Sequence, residues 1–170
     1  AGAEVIQLDE PSLTDVEEVS IPRDKGVGAV ERACEGVDAD VVVQTYFGDV
    51  SDVYPQLLDV ADGVGVDLVS GGESEGEEAS AAPNLEALRE HGAPDTLAVG
   101  CIDSRNTRLE TFDEVSTSVD EVLDAAGEGG EEPSTVHVTP NCGLDFLPWN
   151  VMQEKVERTG EAVEKIDKEV

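Results

Sequence analysis

The run Ser134-Thr135-Val136-His137-Val138-Thr139 is rich in β-branched residues and stops at Pro140, which delivers Asn141 and Cys142 into a loop ahead of Gly143. A thiol at the C-terminal end of a buried strand sits where α/β folds place their reactive groups. Other apolar runs end in the same way. Behind them stand Asp9 and Glu10; Gln44, Thr45 and Tyr46; Ser70; and then Asp103, Arg105 and Asn106. Acids, a guanidinium and a thiol on one rim suit a small amino-acid-like ligand. Carboxylates receive an ammonium and arginine receives a carboxylate. Cys142 is the expected most reactive member of the rim. Plainer roles compete at each position. Asp9 in Asp-Glu-Pro caps a turn, Arg105 pairs with Asp103, and Gln44 and Tyr46 fill a barrel layer.

The elements that must carry these residues follow one another regularly. Strands are expected at Glu4–Leu8, Asp40–Tyr46, Gly65–Val69, Thr96–Ile102 and the run ending at Pro140. The second is continuously apolar, as befits a parallel strand covered on both faces. Helices are expected over Asp24–Glu35, over Val50–Ala61 with Pro55 near its first turn, and over a short stretch to Glu90 capped by Asn84. Phe112, Val115, Val119, Val122 and Ala126 recur at helical spacing, and glycines at 127, 129 and 130 end that helix. A last helix from about Trp149 places Met152, Val156, Val163 and Ile166 on one stripe. Residues 70–82 are acidic and glycine-rich and read as a solvated loop.

Strand and helix in alternation give an α/β fold with a parallel sheet and right-handed crossovers. A doubly wound sheet fits the count, and so does a parallel (β/α)8 TIM-type barrel. A whole barrel takes about 250 residues, so the 170 residues present read as a single partial domain, 1–170, supplying the last five β/α units. A core strand almost at residue 1 creates the expectation of further strands upstream. Such a piece has two unpaired edges.

The net charge is −30, from 40 acidic and 10 basic residues. That excludes nucleic acid and anionic membrane surfaces as partners, because phosphate binding needs clustered Lys and Arg. Only 4% of the residues are aromatic, so the core is built from Val, Leu and Ala. The acidity suits a halophilic surface, where salt shortens the range of self-repulsion to about 3 Å at 1 M. Cys34, Cys101 and Cys142 have no paired spacing. With no signal peptide or spanning apolar run, they read as free thiols of a cytoplasmic protein. His91 and His137 have no partner at metal-ligand spacing, Gly71-Gly72 lacks the Lys of a phosphate loop, and no Ser-His-Asp set is present.

Four stretches together resemble the cobalamin-independent methionine synthase family: Val5-Ile6-Gln7-Leu8-Asp9-Glu10-Pro11-Ser12-Leu13, Thr45-Tyr46-Phe47-Gly48, Val99-Gly100-Cys101-Ile102-Asp103 and Thr139-Pro140-Asn141-Cys142-Gly143-Leu144. They stand in family order and spacing over essentially the whole chain. The resemblance implies strands four to eight of a (β/α)8 barrel and methyl transfer from a methyl-folate to the homocysteine thiol. It also implies a zinc ion that turns the bound thiol into a thiolate. By position, Asp9 matches the acid that holds the homocysteine ammonium, Asp15 an acid near the folate, and Cys142 a zinc-ligand cysteine. The family's remaining ligands, a His-x-Cys pair and a glutamate, fall by the same alignment on Gln44, Tyr46 and Val69, and its proton-donor histidine falls on Arg105. Thr45-Tyr46-Phe47-Gly48 and Gly100-Cys101-Ile102-Asp103-Ser104-Arg105-Asn106 look more like the family's N-terminal barrel, a duplicated copy without the metal site that packs against the catalytic one. Substrate contacts are therefore expected at Asp9, Asp15, Asp103 and Arg105 and a metal contact at Cys142, with no catalytic residue assigned. Two other readings compete. One is a non-catalytic barrel that binds substrate or a zinc-bearing partner barrel. The other is a metal-free enzyme in which Arg105 lowers the pKa of a nucleophilic Cys142.

Overall fold

In the computed structural model the described residues are 2–14, 22–69 and 81–169, with side chains to residue 167. Five strands, β1 (Val5–Asp9), β2 (Asp40–Gln44), β3 (Gly63–Asp67), β4 (Thr96–Ile102) and β5 (Thr135–Pro140), form one sheet. All the pairings are parallel, and the strands lie in chain order, β1-β2-β3-β4-β5. A doubly wound sheet reverses its strand order at a switch point. This sheet does not, so the doubly wound alternative is excluded.

The helices are α1 (Arg23–Cys34), α2 (Tyr54–Val60), α3 (Ala81–His91), α4 (Phe112–Gly129) and α5 (Trp149–Glu169). One apolar core joins α1 to α4 to the sheet through Val27, Leu57, Leu88 and Val122 against Val43, Val64, Val66, Leu97 and Val99. The opposite face of β3 is built from Gly63, Gly65 and Asp67. A Cβ at Gly65 would lie 2.1 Å from Gln44 Oε1. The missing side chain on β3 is therefore the space that the Gln44 side chain occupies.

The two outer strands of a flat five-stranded sheet stand about 19 Å apart. Here Gln7 and Asp9 of β1 line the same cavity as Thr139 of β5 and Cys142 just beyond it. The sheet is therefore strongly curled, with the C-terminal ends of its strands drawn toward one another.

Several expected elements shift. β3 begins at Gly63 and ends at Asp67 rather than running to Val69, because alternating Gly and Val satisfies the pleat two residues earlier. The strand-end carboxylate is therefore Asp67, and Val69 lies past it. Helix α3 begins at Ala81, so Asn84 is not its cap but a fully buried interior residue. On α5 the expected apolar stripe holds at Met152, Val163 and Ile166, which are half-buried, and fails at Val156. Val156 is 57% exposed, whereas Lys155 and Ala162 are buried. Lys155 points inward because it meets a buried acid, Glu110. Helix α4 is as expected, opened by a capping box between Thr111 and Glu114 and closed by left-handed Gly130. Asp15 and residues 70–80 lie outside the described residues.

Candidate functional site at the strand ends

The C-terminal ends of the strands gather two polar groupings. The first is centred on Asp67, whose side chain is buried between the ends of β2, β3 and β5. Its Oδ2 accepts from the Phe47 amide at 2.8 Å and from Asn141 Nδ2 at 3.2 Å, and its Oδ1 accepts from the Val69 amide at 2.8 Å. Burial pushes the Asp67 carboxyl above its ordinary pKa, against the hydrogen bonds that favour the charged form. Asn141 is fully buried, and its Oδ1 accepts from the Ser104 amide at 3.0 Å and the Ser104 hydroxyl at 2.8 Å. Asn84 on α3 donates to the Asp67 carbonyl at 2.9 Å and accepts from the Val50 amide at 3.0 Å. One connected set of hydrogen bonds thus ties the loops after β2, β3, β4 and β5 to α3.

Phe47 shows what this set holds in place. Its φ is 65°, a left-handed value that a bulky residue avoids. Its amide is held by Asp67, its ring meets Tyr46 edge-on at 4.9 Å, and the Arg105 guanidinium lies 5.4 Å above it. Arg105 also donates from Nε to Asp103 at 3.3 Å, and the Asp103 carboxylate accepts from the Arg105 amide and from Asn106. Asp103 and Arg105 therefore face each other, as the plainer reading of Arg105 expected. Farther out, Lys155 donates to both oxygens of Glu110 at 2.9 and 3.0 Å, and Glu110 accepts from the Asp103 amide at 3.2 Å. That ion pair is buried, with side-chain exposures of 0% and 5%. It anchors the loop carrying Asp103 and Arg105 to α5.

The second grouping lies on the other side of the rim, around a cavity of about 200 Å³ lined by Gln7, Asp9, Gln44, Thr139 and Cys142. Gln7 donates to Asp9 at 2.7 Å. Gln44 Nε2 donates to the Thr45 carbonyl at 2.9 Å, which leaves Gln44 Oε1 facing away without a partner. Cys142 is partly buried and hydrogen-bonded to Tyr46. Burial pushes its thiol above the ordinary range, and repulsion from Asp9 and Asp67 adds to that shift. Cys142 is therefore held as a thiol, which corrects the expectation that it is the most reactive group of the rim. The shift of Cys142 runs upward, opposite to the lowering that activation by Arg105 requires. Cys101, on β4, is pushed up to about 12 by burial and packs against the core. Cys34 is raised for the same reason.

Of the expected site residues, the curl brings Asp9 and Cys142 together and leaves Asp103 and Arg105 on the far side of Asp67. Asp67 and Asn84 escaped sequence reasoning. The signal was present in each case as a polar residue within an apolar element: the Asp of Gly-Val-Gly-Val-Asp, and an Asn three residues inside a helix. Among the described residues no three His, Cys, Asp or Glu side chains group closely enough to hold a metal ion. A zinc site needs about three protein donors. Gln44 and Tyr46 supply an amide and a phenol where zinc takes imidazole, thiolate or carboxylate, which leaves Cys142 as the one suitable donor among the positions the family alignment assigns. The residues at this rim do not fit zinc.

Parallel strands in chain order, with their polar side chains collected at one end, define an α/β protein whose sheet curls as a half-barrel. Residues 1–165 match the family model described as the cobalamin-independent synthase catalytic domain, and the chain belongs to that family. It is similar, at 34% identity over 91% of its length, to a Bacillus cytotoxicus 5-methyltetrahydropteroyltriglutamate–homocysteine methyltransferase, covering 19% of that protein. It is 34% identical over 92% of its length to a methionine synthase of Saccharolobus islandicus, covering 42% of it. The fold matches a B12-independent methionine synthase from Shewanella sp. W3-18-1, solved in complex with selenomethionine. The TM-score is 0.71 at 24% identity, over 99% of this chain and 50% of that one. The chain thus spans less than half the length of the curated relatives it matches. No helix of the described residues is long and apolar enough to cross a membrane.

Proposed function

We propose that this chain is one partial domain, 1–170, supplying the last five β/α units of a (β/α)8 barrel that serves methyl transfer from a methyl-folate to homocysteine in the cytoplasm. The family match along nearly the whole chain carries this reading. Asp9 is the carboxylate for the substrate ammonium. Asp103 and Arg105 form a paired acid and base on the opposite side of the rim, where Arg105 can exchange its partner for a substrate carboxylate. Asp15 retains the role that the family resemblance suggests, near the folate. Zinc, as the family uses it, supplies an activated thiolate. Because Gln44 and Tyr46 do not supply the donors that ion takes and Cys142 cannot hold it alone, no step on this chain is routed through it, and a zinc-bearing partner barrel would provide that chemistry. The donor named for the Bacillus relative carries a triglutamate tail. A chain with 40 acids and 10 bases repels such a tail unless salt screens it or the partner supplies basic residues. The excess of acid supports a high-salt habitat.

The test is methyl transfer to homocysteine by the assembled protein at high salt, with and without this chain. Loss of activity on omission is the expected result, and unchanged activity would sink the proposal. The donor set at the rim also supports a second reading, a metal-free barrel that binds substrate or a zinc-bearing partner without reacting. That reading predicts substrate binding with no turnover contributed by Asp9, Asp103 or Arg105.

A further inference from the structure

Among the described residues Phe47 is the one non-glycine residue with a positive φ, 65°. A bulky side chain resists that region, and such strain collects at binding and switch sites, where the surroundings hold it. The glycine that would adopt it freely stands one place later, at Gly48, outside the region. The fold therefore keeps a phenylalanine where glycine would be easier. Its amide donates to Asp67 Oδ2 at 2.8 Å, which fixes the backbone, and Tyr46 meets the ring edge-on at 4.9 Å. The ring is nonetheless 38% exposed, so burial in the core does not explain why it is there.

What the ring does meet is Arg105, whose guanidinium carbon lies over its face, 5.4 Å from the centroid. A cation there is held by the ring quadrupole without any hydrogen bond. Among the described residues, the other direct hold on the guanidinium is one hydrogen bond, from Nε to Asp103 at 3.3 Å, between side chains 38% and 15% exposed. A partly exposed pair of this kind is weak and open to exchange. The planar guanidinium suits a carboxylate along its edge. An incoming carboxylate therefore competes with Asp103 for that edge and leaves the contact through the face untouched. The two holds differ in kind: one is exchangeable, and the other survives the exchange. An arginine that gave up its acid with no second support would lose its place at the rim.

We propose that Phe47, kept left-handed by Asp67, is a positioning residue whose ring holds the Arg105 guanidinium at the rim while Asp103 gives way to a ligand carboxylate. The proposal deepens the functional reading above, on which the identity of that carboxylate rests. The hold on Arg105 does not depend on methyl transfer.

The test uses NMR of the full chain at high potassium chloride, without folate or partner, with Asp103→Asn standing in for an Asp103 that has let go. The substituted amide can still accept from the Arg105 backbone but no longer pairs with the guanidinium charge. Two signals report on Arg105: the upfield ring-current displacement of its side-chain resonances, and the hydrogen exchange of its Nε–H. The displacement should be present in the unmodified chain, persist in Asp103→Asn and in Phe47→Tyr, and vanish in Phe47→Leu. Adding Phe47→Leu to Asp103→Asn should quicken Nε–H exchange about twofold to fivefold, the factor a partly exposed cation–π contact supplies. Phe47→Tyr in the same background should leave that exchange slow. Absence of the displacement in the unmodified chain, its loss in folded Asp103→Asn, or unchanged exchange on adding Phe47→Leu overturns the proposal. If a variant does not fold, the displacement in the unmodified chain decides. An Arg105 held by Phe47 without methyl transfer by the assembled protein would leave the positioning role standing and remove the functional reading. Methyl transfer with an Arg105 free of the ring would do the reverse.

Discussion

The two sides of the strand-end rim are built on opposite terms. Around Asp67, each polar side chain discussed has a partner. The carboxylate takes three donors, Asn141 and Asn84 use both ends of their amides, and Lys155 and Glu110 neutralise each other out of water. Around Gln44 and Cys142, an amide oxygen and a hydroxyl are buried without partners and a thiol is kept protonated. A satisfied network fixes loops, and buried polar atoms without partners carry a desolvation cost. The rim thus has a shape-holding side, where the polar groups are paired, and a second side, where two are not. The expected acid and arginine at the end of β4 fall on the shape-holding side, tied to each other and to Glu110.

The sharpest way to break this contrast is at Lys155. Lys155→Met leaves Glu110 buried and charged, and should cost about 3–5 kcal/mol in urea unfolding. The double variant with Glu110→Gln should recover most of that loss. A loss under about 1 kcal/mol would mean the pair is hydrated and the shape-holding side is not closed.

Next comes Asp67. Asp67→Ala strips the amides of Phe47 and Val69 and the side chain of Asn141 of their acceptor, at about 1–3 kcal/mol for each buried group left unpaired. It also removes a costly buried charge, so the net loss should stay near the low end of the summed range. Hydrogen exchange at Phe47 and Val69 should rise ahead of the rest of the chain. The pH dependence has a defined sign. The folded pKa of Asp67 lies above its unfolded value. Between the two, the folded state keeps a proton that the unfolded state has released, so stability falls as pH rises through that window. Asp67→Asn should remove this component of the slope. Stability that instead climbed through the window because of Asp67 would show that its hydrogen bonds outweigh its burial.

The smallest effect is expected on the Cys142 side. Iodoacetamide should label Cys142 more slowly than a free cysteine peptide near neutrality, with a rate still rising beyond the usual thiol range. Asp9→Asn should speed labelling a fewfold by removing one source of repulsion. Labelling faster than the peptide would mark an activated thiolate and reverse the assignment of the two sides.

How much of this was legible beforehand differs by residue. β4 was placed to the residue, and β5 and α4 nearly so, because their apolar periods are strong and their ends carry Pro140 or the glycines at 127, 129 and 130. β3 was misplaced by two residues because Gly-Val-Gly-Val-Asp carries half the usual apolar signal. The stripe on α5 was misassigned at Val156 because a hydropathy pattern gives no sign that Lys155 has a buried acid to meet, 45 positions earlier in the chain. Sequence by itself determined the alternation of strand and helix, the acidic surface, the family and the set of polar residues at strand ends. These depend on local period, composition and ordered motifs. Only the tertiary structure decided which of those polar residues meet. The curl of the sheet, the side-chain gap at Gly65 and the seating of Gln44 depend on contacts between distant strands. They determine that Asp9, Gln44, Thr139 and Cys142 share one cavity while Asp67 seals the other side.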